Sequence, residues 1–174
     1  LGGLPVGHLV ELGDAVDQQR DLVAEVVACQ VDRVVDELSP TLQSMSTATD
    51  VRAWCDDVAA FHAASAPTIR CPIGSLVHQL GESDVAARRA LVSGFQRWEH
   101  LLAAGLQRVA DNGGLAASSN ATTLASALLA AYQGGVLLAG AAGDVDPLRR
   151  ALLGVTDAAL AAPPQPDGRK RRQR

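Results

Sequence analysis

Cys71 and Pro72, in the stretch CPIGSLVHQLG, form the motif of this sequence that most invites a chemical interpretation. A thiol at the start of a helix is a candidate nucleophile, because the helix dipole favours the thiolate. Catalysis also needs a base, and His78 lies about two helical turns further on, too far to pair within one helix. Pro72 suits the first helical position, where its missing N–H costs nothing. We therefore interpret this pair as the start of a short helix over residues 72–80, ended by Gly81.

Two other uses of Cys71 stay open at this point. His62 or His100, on other predicted helices, would complete a nucleophilic pair if the fold brought either ring to the thiol. A reactive thiol would also suit a redox sensor. Neither use has a supporting motif elsewhere in the sequence, so we predict that the protein is not an enzyme.

The sequence predicts no metal site and no cofactor. Cys29, Cys55 and Cys71 are odd in number and form no CxxC pair, so they indicate neither a disulfide framework nor a zinc site. The histidines fall on different predicted helices, and the glycines at 113–114 follow a helix instead of a strand, unlike a phosphate-binding loop. Free cysteines fit a reducing cytoplasm, which is the predicted location.

The elements that position these residues are predicted to be helices. The chain has 174 residues, enough for one domain, and is 48% hydrophobic but only 3% aromatic. No alternating run of β-branched residues appears, whereas apolar residues recur at helical spacing throughout. We predict an all-α fold of six helices: 17–38, ended by Ser39-Pro40; Asp50, as N-cap, to before Pro67; 72–80; Ser83 or Asp84 to about 111; 120–142; and a last one with Pro147 in its first turn.

The fifth predicted helix is apolar almost all round. Residues 113–143 carry no charge and are long enough to span a bilayer, but they hold many Ser, Thr and Gly and lack basic anchors. We favour a helix covered by protein, either within one protomer or by a second copy. Its small residues suit close helix packing and predict a homodimer through a four-helix bundle of the last two helices. The residues assigned to that interface are Leu124, Leu128, Gly135, Ala139, Leu148 and Leu152.

The net charge of −4 conceals an acidic body and a basic tail. The tail carries five of the fifteen basic residues, so ten remain against nineteen acidic ones and the body has a net charge of −9. An acidic body lacks the electrostatic footprint of nucleic-acid binding. The tail, residues 163–174, is predicted to be disordered; contact with nucleic acid or an anionic membrane is the alternative.

Four segments together resemble the C-terminal domain of TetR-family transcriptional regulators, in particular the LmrA-like branch. They are QRDLVAEVVACQVDRVV, RCPIGSLVHQLG, WEHLLAAGLQRVADNGGL and LASALLAAYQGGVLLAGAAGDVDPLRRAL. The resemblance spans residues 20 to 160. It implies an all-helical dimerising module with a pocket for a small, usually apolar effector, whose binding tilts the first helix and lowers DNA affinity. The pocket residues that it suggests are Trp54, Phe61, His62, Phe95, Trp98, Tyr132 and Gln133.

The sequence departs from the family before residue 20. Family members place a helix-turn-helix there, whereas this segment offers Glu11, Asp14 and Asp17, which would repel phosphates. We interpret 1–19 as a divergent remnant or linker and 20–162 as the effector-binding and dimerisation domain of a repressor, binding DNA only if a helix-turn-helix is supplied from elsewhere. The alternative is a stand-alone helical interaction protein that pairs with itself or with a full-length relative.

Overall fold

The computed structural model describes residues 6–65, 68–77, 79–80 and 84–161, with side chains from residue 17 onward. This part of the chain confirms an all-α fold of six helices. An isolated bridge between Leu115 and Leu160 is the one β-type pairing within it. The helices are α1 (Val6–Ser44), α2 (Ala48–Ala64), α3 (Pro72–Leu76), α4 (Val85–Asp111), α5 (Ala121–Ala142) and α6 (Asp146–Ala159).

The prediction that Ser39-Pro40 ends the first helix is wrong, because α1 continues to Ser44 with Pro40 inside it. Contacts from α4 explain the extra turn. Leu42 and Met45 are almost fully buried. The Arg108 guanidinium donates hydrogen bonds to their backbone carbonyls, at 2.6 Å and 3.0 Å. Packing and capping by another helix thus outweigh the hydrogen bond that proline cannot make.

The N-cap of the second helix lies three residues before the predicted cap, Asp50. Thr47 is the N-cap, and its hydroxyl accepts from the Asp50 N–H at 3.1 Å. The Asp50 carboxylate in turn accepts from the backbone N–H groups of Ser46 and Thr47, which holds the pKa of Asp50 below its ordinary value. Asp50 therefore occupies the N3 position of a capping box. In this motif the Thr47 and Asp50 side chains each accept a hydrogen bond from the backbone N–H of the other residue.

Cys71 and Pro72 start a helix, as predicted, but α3 is shorter than expected and ends at Leu76. The Cys71 sulfur caps it by accepting from the Gly74 N–H at 3.3 Å. The predicted terminator, Gly81, and His78 lie outside the described residues. The tail, 163–174, lies outside them as well, and the predicted boundary between residues 19 and 20 falls within α1.

The core is organised around α4. This helix packs along α1 on one side and against α5 on the other, while α6 packs against α5 and contacts α2. Trp98, Leu102 and Leu106 of α4 are at most 1% exposed. Gly105 allows the close approach to α1, since a Cβ there would lie 2.9 Å from the Leu42 carbonyl oxygen. These crossings fix where α1, α2, α4 and α5 meet.

Among the described residues, α5 alone is long and apolar enough to cross a membrane. One face of α5 is nonetheless packed into the protomer, where Leu124, Leu128 and Tyr132 are at most 6% exposed. The opposite face is exposed and equally free of charge. Packing within the protomer therefore explains the apolar residues on the buried face of α5, but not those on its exposed face.

Candidate functional site

The cavity that unites most of the predicted pocket residues has a volume of about 250 Å³ and lies beneath α1. We call it the aromatic cavity. It contains Trp54, Phe61 and His62 from α2, Trp98 from α4 and Tyr132 from α5. The structure thus brings together five of the seven side chains selected from the sequence. Within the described residues its lining is Val34, Glu37, Leu38, Thr41, Trp54, Asp57, Val58, Phe61, His62, Pro72, Trp98 and Tyr132.

Helical spacing explains why several residues of α2 line the aromatic cavity together. Residues 54, 58, 61 and 62 recur at intervals of three and four, which places them along one side of the helix. The Trp98 and Tyr132 rings meet edge to face, with centroids 4.9 Å apart. Phe61 differs from the others, since it is 64% exposed and lies at the cavity mouth. The result is a chamber of flat apolar surfaces, the usual composition of a site for a small organic molecule.

The four lining residues from α1 were not predicted as site residues. Val34 and Leu38 belong to the apolar stripe recognised in the first helix, and Thr41 lies beyond Pro40, where the helix was expected to end. Continuing the stripe through the proline would have pointed to them. Their presence means that an occupant of the cavity touches α1 directly.

His62 and Tyr132 form the polar pair of the cavity. The His62 Nε2 and the Tyr132 hydroxyl are 3.0 Å apart, and the two residues are 1% and 6% exposed. Which of them donates depends on the imidazole tautomer. Burial lowers the pKa of His62 and raises that of Tyr132, with Cys71 adding to the shift of the phenol. Both side chains are therefore uncharged at neutral pH.

The charged lining residues of the aromatic cavity are both acidic. Glu37 and Asp57 are exposed, and Glu37 also pairs with Arg33 at 3.1 Å along the surface of α1. No arginine or lysine lines the cavity among the described residues.

The other two predicted pocket residues, Phe95 and Gln133, line a separate cavity of about 780 Å³ between α3 and α5. Its polar groups include Arg70 and Cys71. The Gln133 side-chain N–H donates to the Cys71 sulfur at 3.4 Å, which ties the start of α3 to α5. No histidine lines this cavity in the described part of the chain, so the structure gives Cys71 no imidazole base there.

The six residues assigned to a dimer interface are all buried inside the protomer. Gly135 faces α6 so closely that a Cβ would lie 2.8 Å from the Leu148 Cα. Gly135 and Leu148 therefore meet at the seam between α5 and α6. The dimer interface assigned to the six residues stays a prediction. The opposite face of α5, which we call the outer face, is exposed and consists of Ala130, Gly134, Leu137, Leu138 and Ala141.

Metal-binding geometry does not occur in the described residues: no group of three or more His, Cys, Asp or Glu side chains converges there. His100 is exposed on α4 and lines a third, shallow cavity with Arg97 and Asp36, away from His62.

Solved structures of TetR regulators share this fold. A TetR-family regulator from Agrobacterium tumefaciens is 20% identical, with a TM-score of 0.67 over 82% of this chain and 75% of its own. The regulatory protein TetR from Rhodobacter sphaeroides is 19% identical, with a TM-score of 0.68 over 80% and 75%. Reduced NemR from E. coli is 21% identical, with a TM-score of 0.63 over 83% and 75%. At these identities the likeness establishes the fold, which is that of TetR-type transcriptional regulators.

The sequence narrows this class to one branch. The family described as transcriptional regulator LmrA/YxaF-like, C-terminal domain, matches residues 47–152, which is more than half of the chain. The protein therefore belongs to the LmrA/YxaF-like group of TetR-family transcriptional regulators, a family of regulators and not of enzymes. The resemblance drawn from the sequence is thereby confirmed. No curated protein sequence matches the chain.

Proposed function

We propose that this chain is the effector-binding and dimerisation domain of a TetR-like repressor in the cytoplasm, and that it responds to a small apolar ligand held in the aromatic cavity. The observation that carries the proposal is the position of that cavity, which is enclosed by α2, α4 and α5 and touches α1. The family match supplies the regulatory context.

The cavity lining supports an apolar, compact ligand. Four aromatic rings and several aliphatic side chains provide most of its surface, and the polar pair His62–Tyr132 is uncharged. An engineered apolar cavity of roughly 150 Å³ holds benzene, so about 250 Å³ suits one or two rings. Phe61, at the mouth, is placed to close over such an occupant.

Transmission of the signal would use α1 as a rigid lever. This helix has 39 residues and carries Val34, Leu38 and Thr41 against the cavity. An occupant that presses on these side chains displaces a helix whose other contacts are mainly with α4. We propose that residues 20–162 form this sensing domain and that the tilt of α1 changes the spacing of helix-turn-helix units wherever these are supplied. Without them, the same motion has no effect on DNA.

A second copy of the chain is the proposed partner of α5. The outer face presents small residues and two exposed leucines, with Leu137 at 69% and Leu138 at 59% exposure. Small residues allow helix axes to approach closely, and exposed leucines gain from being covered. We therefore place the four-helix bundle on this outer face and not on the residues predicted from the sequence.

Binding of naphthalene, a purely apolar two-ring probe, tests the sensing site. Equilibrium dialysis is expected to show one equivalent per protomer. Val34→Phe, which places a larger side chain in the cavity from α1, should weaken binding by about tenfold or more, because the probe and the new ring compete for space.

Val92→Phe is the matched control, since Val92 is 55% exposed on α4 and lines none of the three cavities described above. Unchanged affinity is expected for that variant. Equal binding of naphthalene to the wild-type protein and to Val34→Phe would contradict the proposed site.

A further inference from the structure

The larger cavity, between α3 and α5, plays no part in the proposed function, and we call it the α3–α5 cavity. Its volume of about 780 Å³ compares with about 250 Å³ for the aromatic cavity. The larger volume lies within the usual range of small-molecule sites. In its lining, Ile69 and Val136 are 6% and 3% exposed, whereas Val77 and Leu137 are exposed. The cavity therefore combines an apolar interior with an open mouth, and it admits a larger apolar body than the aromatic cavity does.

The start of α3 and the middle of α5 separate the two cavities. Cys71 and Gln133 line the α3–α5 cavity, while their chain neighbours Pro72 and Tyr132 line the aromatic cavity. The Cys71 sulfur accepts hydrogen bonds from the Gln133 side chain at 3.4 Å and from the Gly74 N–H at 3.3 Å, which hold this boundary together. Among the described residues, none lines both cavities. Each cavity is therefore a site of its own, and its occupancy can be tested separately.

Arg70 provides the charge of the α3–α5 cavity. Within the described part of the chain it is the one charged residue of that lining, and it is exposed. It forms no salt bridge and no side-chain hydrogen bond with the described residues. Because this side chain is long, exposed and unpaired there, it can turn to an acidic group at the mouth of the cavity without breaking an existing contact. A guanidinium binds carboxylate, sulfonate or phosphate oxygens through charge-assisted hydrogen bonds.

We propose that the α3–α5 cavity is a second binding site, which takes an amphipathic organic anion. The apolar body of this anion lies between α3 and α5, and its acidic group pairs with Arg70. The site is distinct from the aromatic cavity and does not depend on the effector proposed there. Gly134, Leu137 and Ala141 belong both to this lining and to the outer face of α5, so a second copy on that face would lie against the mouth of the cavity.

Two fluorescent probes with the same three rings test the role of charge. 8-Anilinonaphthalene-1-sulfonate carries a sulfonate group, and N-phenyl-1-naphthylamine lacks it. Wild-type protein is expected to bind one equivalent of the sulfonate per protomer. Arg70→Gln should lower the ratio of sulfonate affinity to amine affinity by about tenfold, because the charge-assisted hydrogen bonds are lost, whereas Arg70→Lys should retain most of the ratio. Since both probes bind the same protein, a change in folding or cavity volume affects both affinities and cancels in the ratio.

Arg150→Gln is the matched control. Arg150 is exposed on α6 and lines none of the three cavities described above. Its replacement removes the same charge from the protein and should leave the ratio at the wild-type value.

The two isoleucines of the sequence, Ile69 and Ile73, locate the bound sulfonate. Ile69 lines the α3–α5 cavity, whereas Ile73 is fully buried and lines none of the three cavities. With ¹³C in the isoleucine δ1 methyl groups alone, the spectrum contains two signals, and Ile69→Val identifies them. The sulfonate should shift the Ile69 signal by its ring current and leave the Ile73 signal nearly in place. Saturating naphthalene should leave the Ile69 signal in place and should not displace the sulfonate.

An unchanged affinity ratio in Arg70→Gln would overturn the pairing of the acidic group with Arg70. A stationary Ile69 signal at saturating sulfonate, or displacement of the sulfonate by naphthalene, would overturn the α3–α5 cavity as the site. Failure of the sulfonate to bind would overturn the proposal as well, and is the result expected if a second copy fills the cavity. The proposed function is judged separately, by the binding of naphthalene to the wild-type protein and to Val34→Phe.

Discussion

At the scale of single residues, the aromatic cavity gathers side chains that the sequence separates widely. His62 and Tyr132 are 70 positions apart, yet they share a hydrogen bond of 3.0 Å. The sequence suggested both as pocket residues, by way of the family resemblance. It did not show that they pair, nor that the indoles of Trp54 and Trp98 would be left without partners. These properties depend on atomic positions that no local pattern encodes.

The buried imidazole leads to a prediction about pH. Burial lowers the pKa of His62 in the folded state, so below the ordinary value of 6.5 the unfolded chain binds the proton more readily. The stability contributed by neutral His62 is present above pH 6.5 and is lost as the pH falls below it. His62→Gln should cost about 1–3 kcal/mol at pH 7.5, and its deficit relative to wild type should shrink towards pH 5.

Urea unfolding of both proteins at pH 5, 6 and 7.5 measures this difference. Tyr132→Phe is the control, because it removes the hydroxyl but keeps the ring that buries His62, so its deficit is expected to stay nearly constant with pH. Parallel pH profiles for wild type and His62→Gln would contradict the assignment.

At the scale of helices, local sequence signals fixed most starts and several stops. The N-cap Asn120 and the left-handed Gly143, with φ of 67°, bracket α5 as the sequence indicated. The largest error at a helix end came where another helix intervened. Arg108 of α4 holds the last turn of α1 beyond Pro40, and this contact spans more than 60 residues of sequence.

The α5–α6 seam provides a prediction with a neighbouring control. Gly135→Ala would bring a Cβ within 2.8 Å of the Leu148 Cα, and backbone cannot move aside as a flexible side chain does. We expect a loss of about 1–3 kcal/mol in the free energy of unfolding. Thermal and urea unfolding check this value.

The adjacent Gly134→Ala meets no atom within 4 Å and replaces a helical glycine by the best helix former. It should therefore be neutral or stabilising by up to about 1 kcal/mol in the protomer. Because Gly134 lies on the outer face, both variants are compared in a Leu137→Glu background, which breaks the proposed dimer. The opposite order of the two variants there would show that the seam is placed wrongly.

At the scale of the whole molecule, the proposed dimer allows a measurement of whether ligand binding in the aromatic cavity moves α1. α1 carries Cys29, which is exposed, whereas Cys55 and Cys71 are buried. Burial, aided by Asp56, also raises the pKa of the Cys55 thiol to about 12, which makes it unreactive at neutral pH. A thiol-directed spin label should therefore modify Cys29 selectively and report on α1.

In a homodimer, the two labels at Cys29 should give a dipolar signal, and bound naphthalene should change the distance between them if α1 tilts. Leu137→Glu, on the outer face, should abolish that signal and halve the mass seen by sedimentation, because burying an unpaired charge disfavours association. Val92→Glu is the matched control, with similar exposure on α4.

Two results would count against this arrangement. A monomeric wild-type protein, or a dimer that tolerates Leu137→Glu, would show that the outer face is not a dimer interface. An unchanged distance between the labels in a naphthalene-bound dimer would show that ligand binding does not move α1.

The sequence by itself determined the fold class, the approximate helices and the family, because helical periodicity, caps and family motifs are local properties of the chain. It also selected the aromatic residues of the cavity, since a composition with few aromatic residues leaves few candidates. Only the tertiary structure decided which face of each helix is covered. Gly135 and Leu148 look equally suited to a partner protomer or to an intramolecular seam, and in the structure they meet each other where α5 packs against α6. The same crossings created the cavity and separated Phe95 and Gln133 from it, because a void is defined by the relative positions of several helices and not by the residues of any one.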